Sequence, residues 1–465
     1  MGKTARVPRF TAVLATAAAT AIALTGALSA NAAPLPDQTG PGSGSAVPAE
    51  LAKAFQAAAD RYDVPRELLV GVGYAESHLD GHDGLPSQDN GFGVMHLASN
   101  PQNQTLSEAG KLTGLSADQL RKESAANILG AAAVLDSYAD KAGLAGSARK
   151  DLAKWYGVVA QYSHSADAPT GRLYTDEVYK IIGKGVQAEG VTVAPKQVQP
   201  DRGSYAKVAP LGTRTPASLA AADYPGAIWN PASTSNYQVG GRQSYSTIVI
   251  HVTQGSYAGT ISWFKNPSAQ VSAHYVVRSS DGQITQMVAE KDVAWHARSA
   301  NSTSVGIEHE GFIDNPSWFT DAMYLASAAL TKNIADRRGV PKDRNHIKGH
   351  SEIPGNDHTD PGPNWNWTYY MQLVNGGNPN PPEYNFTTYG SGVRVRSEPK
   401  LTASIVTTLP GPTQVFVVCQ KQGDTVNAEG TSNNWWSKLR DQGGYMTNIY
   451  IDYPAAQLPG VPVCT

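Results

Sequence analysis

At 465 residues, and with about 100 to 200 residues per domain, the chain has room for two to four domains, so one site need not explain all of it. A formal net charge of −2 and 41% hydrophobic residues exclude a disordered chain and a nucleic-acid binder with a strong basic footprint. Gly (45) and Pro (30) together exceed their usual share of about 12%, which points to loops and linkers between compact parts.

In chain order, Lys3, Arg6 and Arg9 precede an uncharged Ala-rich run from Thr11 to Leu28 and the small residues Ala30 to Ala33. This reads as a secretory signal over residues 1–33, cleaved after Ala32 or nearby; a retained membrane anchor is the weaker alternative, because the run is short and a Pro/Gly/Ser tract (34–48) follows. The expected product is a secreted, wall-associated monomer without a membrane anchor. Residues 49–190 carry apolar residues at helical spacing, with Pro65 at a helix start after Asp63. Residues 191–222 shift to Pro, Ala, Gly, Gln and Ser and read as a linker.

From Asp223 to 374, short β-branched runs alternate with helix-like segments, an α/β pattern. Asp281-Gly282 marks a hairpin, and a helix is expected from Asp321 to Arg338, capped by Thr320 and ended by Gly339. A second linker spans 375–383. The last block, 384–465, alternates short strands with turns, as a small β-barrel or sandwich does. Its Cys419 and Cys464 are the only cysteines; in an oxidising compartment a disulfide holding the C-terminal tail is expected, two buried thiols being the alternative.

Seven of the 11 histidines fall between residues 251 and 358. His251 ends the run TIVIHVT, at a strand end where α/β folds place functional groups. His350 and Asp360 bracket GHSEIPGNDHTDPGP, a loop stiffened by Pro. Two imidazoles and a carboxylate leave a fourth tetrahedral position open, the pattern of catalytic rather than structural zinc, and water there is acidified to a pKa of about 7. A histidine at a strand end is also often a plain polar residue, so spacing alone leaves the site open.

The ordered series YSTIVIHVT, VSAHYVVRSSDG, AWHARS, SVGIEHEG and GHSEIPGNDHTDPGPNW resembles the zinc-dependent type-2 N-acetylmuramoyl-L-alanine amidases, a family shared with phage amidases and peptidoglycan recognition proteins, over Asp223 to Gln372. The resemblance implies a mixed sheet flanked by helices and hydrolysis of the amide between N-acetylmuramic acid and the L-alanine of the stem peptide. It implies Zn2+ on His251, His350 and Asp360, and Glu308 as the catalytic carboxylate. His358 stands where the family often has lysine; protonated, it would donate to the developing oxyanion, so activity is expected to fall off above neutral pH earlier than in lysine-bearing relatives. Trp295 and His296 match a segment lining the substrate groove, and His274 is a polar wall or second donor there. His309 and His346 match no role and are expected at the surface.

Two flanking resemblances complete the reading. ELLVGVGYAESHLDGHDG, NGFGVMHL, AANILGAAAVLDSYADK and LYTDEVYKII resemble the lysozyme-like lytic transglycosylases, which implies an all-α domain with Glu76 as general acid in a pocket built by Leu69, Val72, Met95 and Tyr156. An active glycan cleaver and a scaffold that only binds glycan are both open. GVRVRSEPKLTASIVTTLPGPTQVFVVCQ, NWWSKL and GGYMTNIYI resemble bacterial SH3-like wall-binding modules, with Trp435, Trp436 and Tyr445 as contacts or core. The partner expected for the whole chain is peptidoglycan, both stem peptide and glycan strand, with no nucleic acid. The alternatives are a non-catalytic peptidoglycan binder and a glycan-cleaving enzyme acting through Glu76.

Overall fold

A computed structural model describes residues 48–211, 222–377 and, with a few short gaps, 384–464. The signal-like segment and most of both Pro-rich tracts lie outside them. None of the described helices is long and apolar enough to cross a membrane.

The first block is helical: α1 (Pro48–Tyr62), α2 (Arg66–Ser77), α3 (Thr105–Thr113), α4 (Ser124–Lys141), α5 (Tyr156–Tyr162) and α6 (Ala168–Lys184). Helix α4 is central because its Ala- and Gly-rich surface allows close approach: Ala131, Ala132, Val134 and Leu135 are buried, and a Cβ on Gly130 would sit 2.7 Å from Leu120 Cδ2. Pro65 precedes α2 directly, where its missing N–H costs nothing.

Residues 191–211, expected as linker, are instead tied to this block. Val191–Val193 pairs antiparallel with Val186–Ala188, Val191 is fully buried, Arg202 Nη2 lies 2.8 Å from Asp176 Oδ1, and Tyr205 packs on Tyr156. The polar composition that suggested a linker is a short hairpin and strap whose Val191 and Val193 are buried.

The central block holds a six-stranded sheet. Its strands are β1 (Ile228–Trp229), β2 (Thr247–Val252), β3 (Tyr275–Val277), β4 (Ile284–Gln286), β5 (Ser304–His309) and β6 (Ile347–Gly349), in the order β6-β2-β5-β3-β4-β1. The run β6-β2-β5-β3 is parallel, while β3 and β4 pair antiparallel through the Asp281-Gly282 turn. Parallel strands are covered on both faces, which is why all six residues of SVGIEH in β5 are buried. Helices α7 (Tyr257–Lys265), α8 (Asp321–Arg338) and α9 (Trp367–Val374) pack on the sheet. Helix α8 has the predicted ends: Thr320 Oγ1 accepts from Met323 N, and Gly339 adopts φ 70°.

The last block is a six-stranded antiparallel sheet around Val395, Val415, Val417 and Met446. Trp436 is 1% exposed and donates to the Asp424 carbonyl at 2.9 Å, so it is core; Trp435 and Tyr445 are half-buried. Cys419 and Cys464 form a disulfide, and Cys464 N–H donates to the Gln420 carbonyl at 2.9 Å, so the tail is held by both.

Candidate metal centre and groove

Three adjacent parallel strands deliver three functional side chains at their carboxyl ends. In the β2–β5 register His251 is paired with Glu308, and register partners on parallel strands project to the same face. Strand β6 pairs Gly349 with Ile250, so His350 follows one step beyond the sheet edge, in a single helical turn. The loop then returns Asp360. Gly349 permits this return: a Cβ there would stand 2.6 Å from Pro361 Cδ.

Asp360 joins the two imidazoles, with Oδ2 at 3.2 Å from His251 Nδ1 and Oδ1 at 3.1 Å from His350 Nδ1. All three residues are buried, and one donor atom from each lies within 4.8 Å of the others. Burial pushes His251 down to about 4, which keeps its ring neutral. Burial works to raise Asp360, but the hydrogen bonds from His251 and His350 outweigh it and hold the carboxylate low. Two imidazoles and an ionised carboxylate are a donor set suited to a zinc-like cation. His350 Nε2 is buried with no hydrogen-bond partner among the described residues, so a donor atom is free to serve a cation.

Glu308 is 3% exposed, and burial, then the neighbouring Asp360, pushes it up to about 8. Its Oε2 is buried without a hydrogen-bond partner, while Oε1 accepts from Gln88 Nε2 at 3.4 Å. These groups open onto a groove of about 660 Å³ whose walls include Trp295, His296, Gln270, His358 and Gln88.

Trp295 and His296 both line this groove. His296 Nδ1 meets His251 Nε2 at 2.9 Å, and Gly306 makes room for its ring, since a Cβ there would be 2.5 Å from Nδ1. His358 stands at the mouth, 54% exposed, with Nδ1 3.9 Å from Asp360 Oδ1 and its ring stacked on His350 at 4.3 Å; burial and the His350 ring lower its pKa. His274 is not on the groove wall. It is fully buried, accepts from Gly306 N–H at 3.0 Å and meets Arg242 Nη2 at 2.6 Å, and it reaches the site only through its edge contact with His296.

His309, expected at the surface, is fully buried. Its Nδ1 lies 2.7 Å from the His251 carbonyl and its Nε2 2.6 Å from Ser327 Oγ on α8. Strand alternation in IEHE carried that signal: if Glu308 faces the groove, His309 faces the opposite, helix-covered side. His346 does sit near the surface, paired with Asp343 at 2.7 Å.

Glu76 does not line the groove that Glu308 borders. It ends α2, is 5% exposed, accepts from Ser256 Oγ of the central block at 3.1 Å, and has His96 Nδ1 at 3.8 Å. Tyr156, expected to wall it, donates instead to Asp176 Oδ1 at 2.9 Å.

The sequence that builds this site has counterparts in known proteins. The family model Amidase_2, N-acetylmuramoyl-L-alanine amidase, matches residues 241–363, a span that holds His251, Glu308, His350 and Asp360. N-acetylmuramoyl-L-alanine amidase A of Achromobacter lyticus is 48% identical over 178 residues, covering 35% of this chain and 100% of that protein. The 1,6-anhydro-N-acetylmuramyl-L-alanine amidase AmpD of Citrobacter freundii is 37% identical over 113 residues, 23% of this chain and 58% of AmpD. Among solved structures, a selenomethionine AmpD derivative aligns with 28% identity and a TM-score of 0.28, covering 32% of this chain and 96% of that one. With a relative of this similarity matched over its full length, the chain belongs to the N-acetylmuramoyl-L-alanine amidase family.

Proposed function

We propose that this chain hydrolyses the amide joining the lactyl group of N-acetylmuramic acid to the L-alanine of the peptidoglycan stem peptide. The observation that carries the reading is the convergence of His251, Glu308 and His350 at the carboxyl ends of three neighbouring parallel strands, with Asp360 closing the set beside an open groove. His251, His350 and Asp360 would hold zinc, which when bound supplies Lewis acidity toward a carbonyl oxygen and an acidified water.

Glu308 is the proton carrier. Its Oε2, buried and without a partner, takes the proton of the attacking water and returns it to the leaving alanine nitrogen, so one carboxylate serves as base and then acid. A carboxyl raised by burial is suited to this, because its affinity for a proton lies near working pH. His358, at the mouth, is placed to donate to the oxygen that gains charge as water adds. Trp295 and His296 form the wall along which the stem peptide lies.

The export reading of residues 1–33, and a role for the terminal sheet in holding the enzyme on the wall, belong to this proposal. A binding-only function is disfavoured by the complete and buried set of donor residues. Cleavage of glycan through Glu76 is disfavoured by the cover that Ser256 places over that carboxyl. The deciding experiment is mass spectrometry of purified peptidoglycan digested by the wild type and by His350→Ala, with and without a chelator. Free stem peptides with N-terminal alanine, appearing only with metal and an intact His350, are the expected result; sugar-bond cleavage alone, indifferent to chelation, would sink the proposal.

A further inference from the structure

The helical block is not merely tethered to the central block; it is docked beside the groove, and one of its loops reaches the site. Two stacked pairs fix the junction: His78 lies on Trp318 with centroids 3.5 Å apart and rings within 3° of parallel, and His82 lies on Phe312 at 3.5 Å. His78 Nδ1 also meets Ser317 Oγ at 2.9 Å. On the other side of the loop, Ser256 donates to Glu76.

After these anchors comes the loop from Leu85 to Asn90, and its conformation is set from within. Ser87 Oγ accepts from Gly91 N–H at 2.8 Å and lies 2.8 Å from His96 Nε2. Asp89 Oδ1 is 3.0 Å from the same nitrogen. Gly91 gives the imidazole its place, since a Cβ there would fall 2.1 Å from His96 Nε2. Gln88 is therefore carried on a braced loop. Its amide Nε2 donates to Glu308 Oε1 at 3.4 Å, across 220 positions of sequence.

We propose that Gln88 is a positioning residue of the amidase site: its amide holds one oxygen of Glu308, so that the other, Oε2, faces the reacting atoms. The inference rests on the proposed amidase function and on the role given there to Glu308. Without the donor, the buried carboxylate has no partner for either oxygen among the described residues, and its rotamer is no longer selected. The site is thus composite, with its metal-ligating residues in one block and the orienting donor in another. The chemistry recognised is unchanged; what the helical block adds is orientation.

The test is steady-state hydrolysis of a soluble muramyl dipeptide by the full chain loaded with zinc. Wild type is compared with Gln88→Met, which keeps length and neutrality but has no donor, with Gln88→Glu, and with Glu308→Gln. The inference expects kcat to fall about 3- to 10-fold in Gln88→Met, in line with loss of one ordinary hydrogen bond, and further in Gln88→Glu, whose carboxylate repels Glu308. It also expects KM, bound zinc per chain and melting temperature to stay at wild-type values, which a merely structural contact does not predict. Wild-type kcat in Gln88→Met beside an inactive Glu308→Gln overturns this inference and leaves the amidase reading standing. A loss of kcat that follows a loss of zinc or of melting temperature also overturns it. A wild type that frees no alanine-ended peptide overturns the amidase reading and this inference with it; a fully active Glu308→Gln overturns the role of Glu308 and this inference, and leaves the amidase reading standing.

Discussion

Glu76 and Glu308 invite comparison, because each is a buried carboxyl at the end of an element and each is raised by burial. Their surroundings differ. Glu308 borders a groove and keeps one oxygen without a partner, whereas Glu76 is covered by a serine of the neighbouring block and lies close to His96. Desolvation raises any buried carboxyl; only access and a free oxygen turn a raised one into a chemical group. In this molecule one such carboxyl borders a groove, and the other is part of a junction.

The largest expected effect tests the groove side of that contrast. His350→Ala, or a chelator on the wild type, should lower release of alanine-ended peptides by about a thousandfold or more, since the cation supplies several kcal/mol of charge stabilisation; digests analysed by mass spectrometry check it. Next, Glu308→Gln should lower kcat by about 100-fold or more, the usual reach of a general base, while Glu76→Gln leaves the product profile as in wild type. New glycan ends that vanish in Glu76→Gln would break the comparison outright.

A third prediction concerns the junction and has a defined sign. Burial works against a charged His96, but Asp89 and Glu76 outweigh it and raise the ring from 6.5 to about 9. A group raised in the folded state contributes stability that is complete below its unfolded value and is lost as pH climbs through the folded one. Glu76, also raised, acts in the same direction, whereas Asp89 is lowered and acts only in acid. Calorimetry should therefore show stability, and with it the melting temperature, declining between pH 6.5 and 9, by about 3 kcal/mol. His96→Gln should flatten that slope, and a slope unchanged in the variant would remove the assignment.

The smallest effect belongs to His309. His309→Phe removes its contacts to the His251 carbonyl and to Ser327 and should weaken zinc affinity about tenfold, as loss of support behind a ligand does. Zinc competition with a chromophoric chelator measures this; unaltered affinity would make His309 a packing residue only.

Much of the central block was readable before any coordinates. The run TIVIHVT reads as a strand giving way to a loop near His251, and it is an inner strand of the parallel run, with its β-branched residues buried on both faces. Helix α8 begins at Thr320 and ends at Gly339 because a hydroxyl cap and a left-handed glycine are local requirements, met by neighbours in sequence. For Cys419 and Cys464, a disulfide and two buried thiols were both open in the sequence, and the structure joins them.

Other features depended on which surfaces meet. Residues 191–211 read as linker from composition, yet Arg202, Tyr205 and Val191 find partners that no local pattern announces. His274 shares its motif with the groove residues Val271 and Ser272 but is buried behind the groove, against Gly306 and Arg242. By itself, then, the sequence determined strand ends and caps, which depend on near neighbours and on the alternation of a strand, and the resemblance it carries pointed to His251, His350 and Asp360 as a donor set. The tertiary structure decided that Ser256 covers Glu76 and that Gln88 reaches Glu308, because contacts between distant segments depend on the complementarity of whole surfaces, which no single stretch of chain encodes.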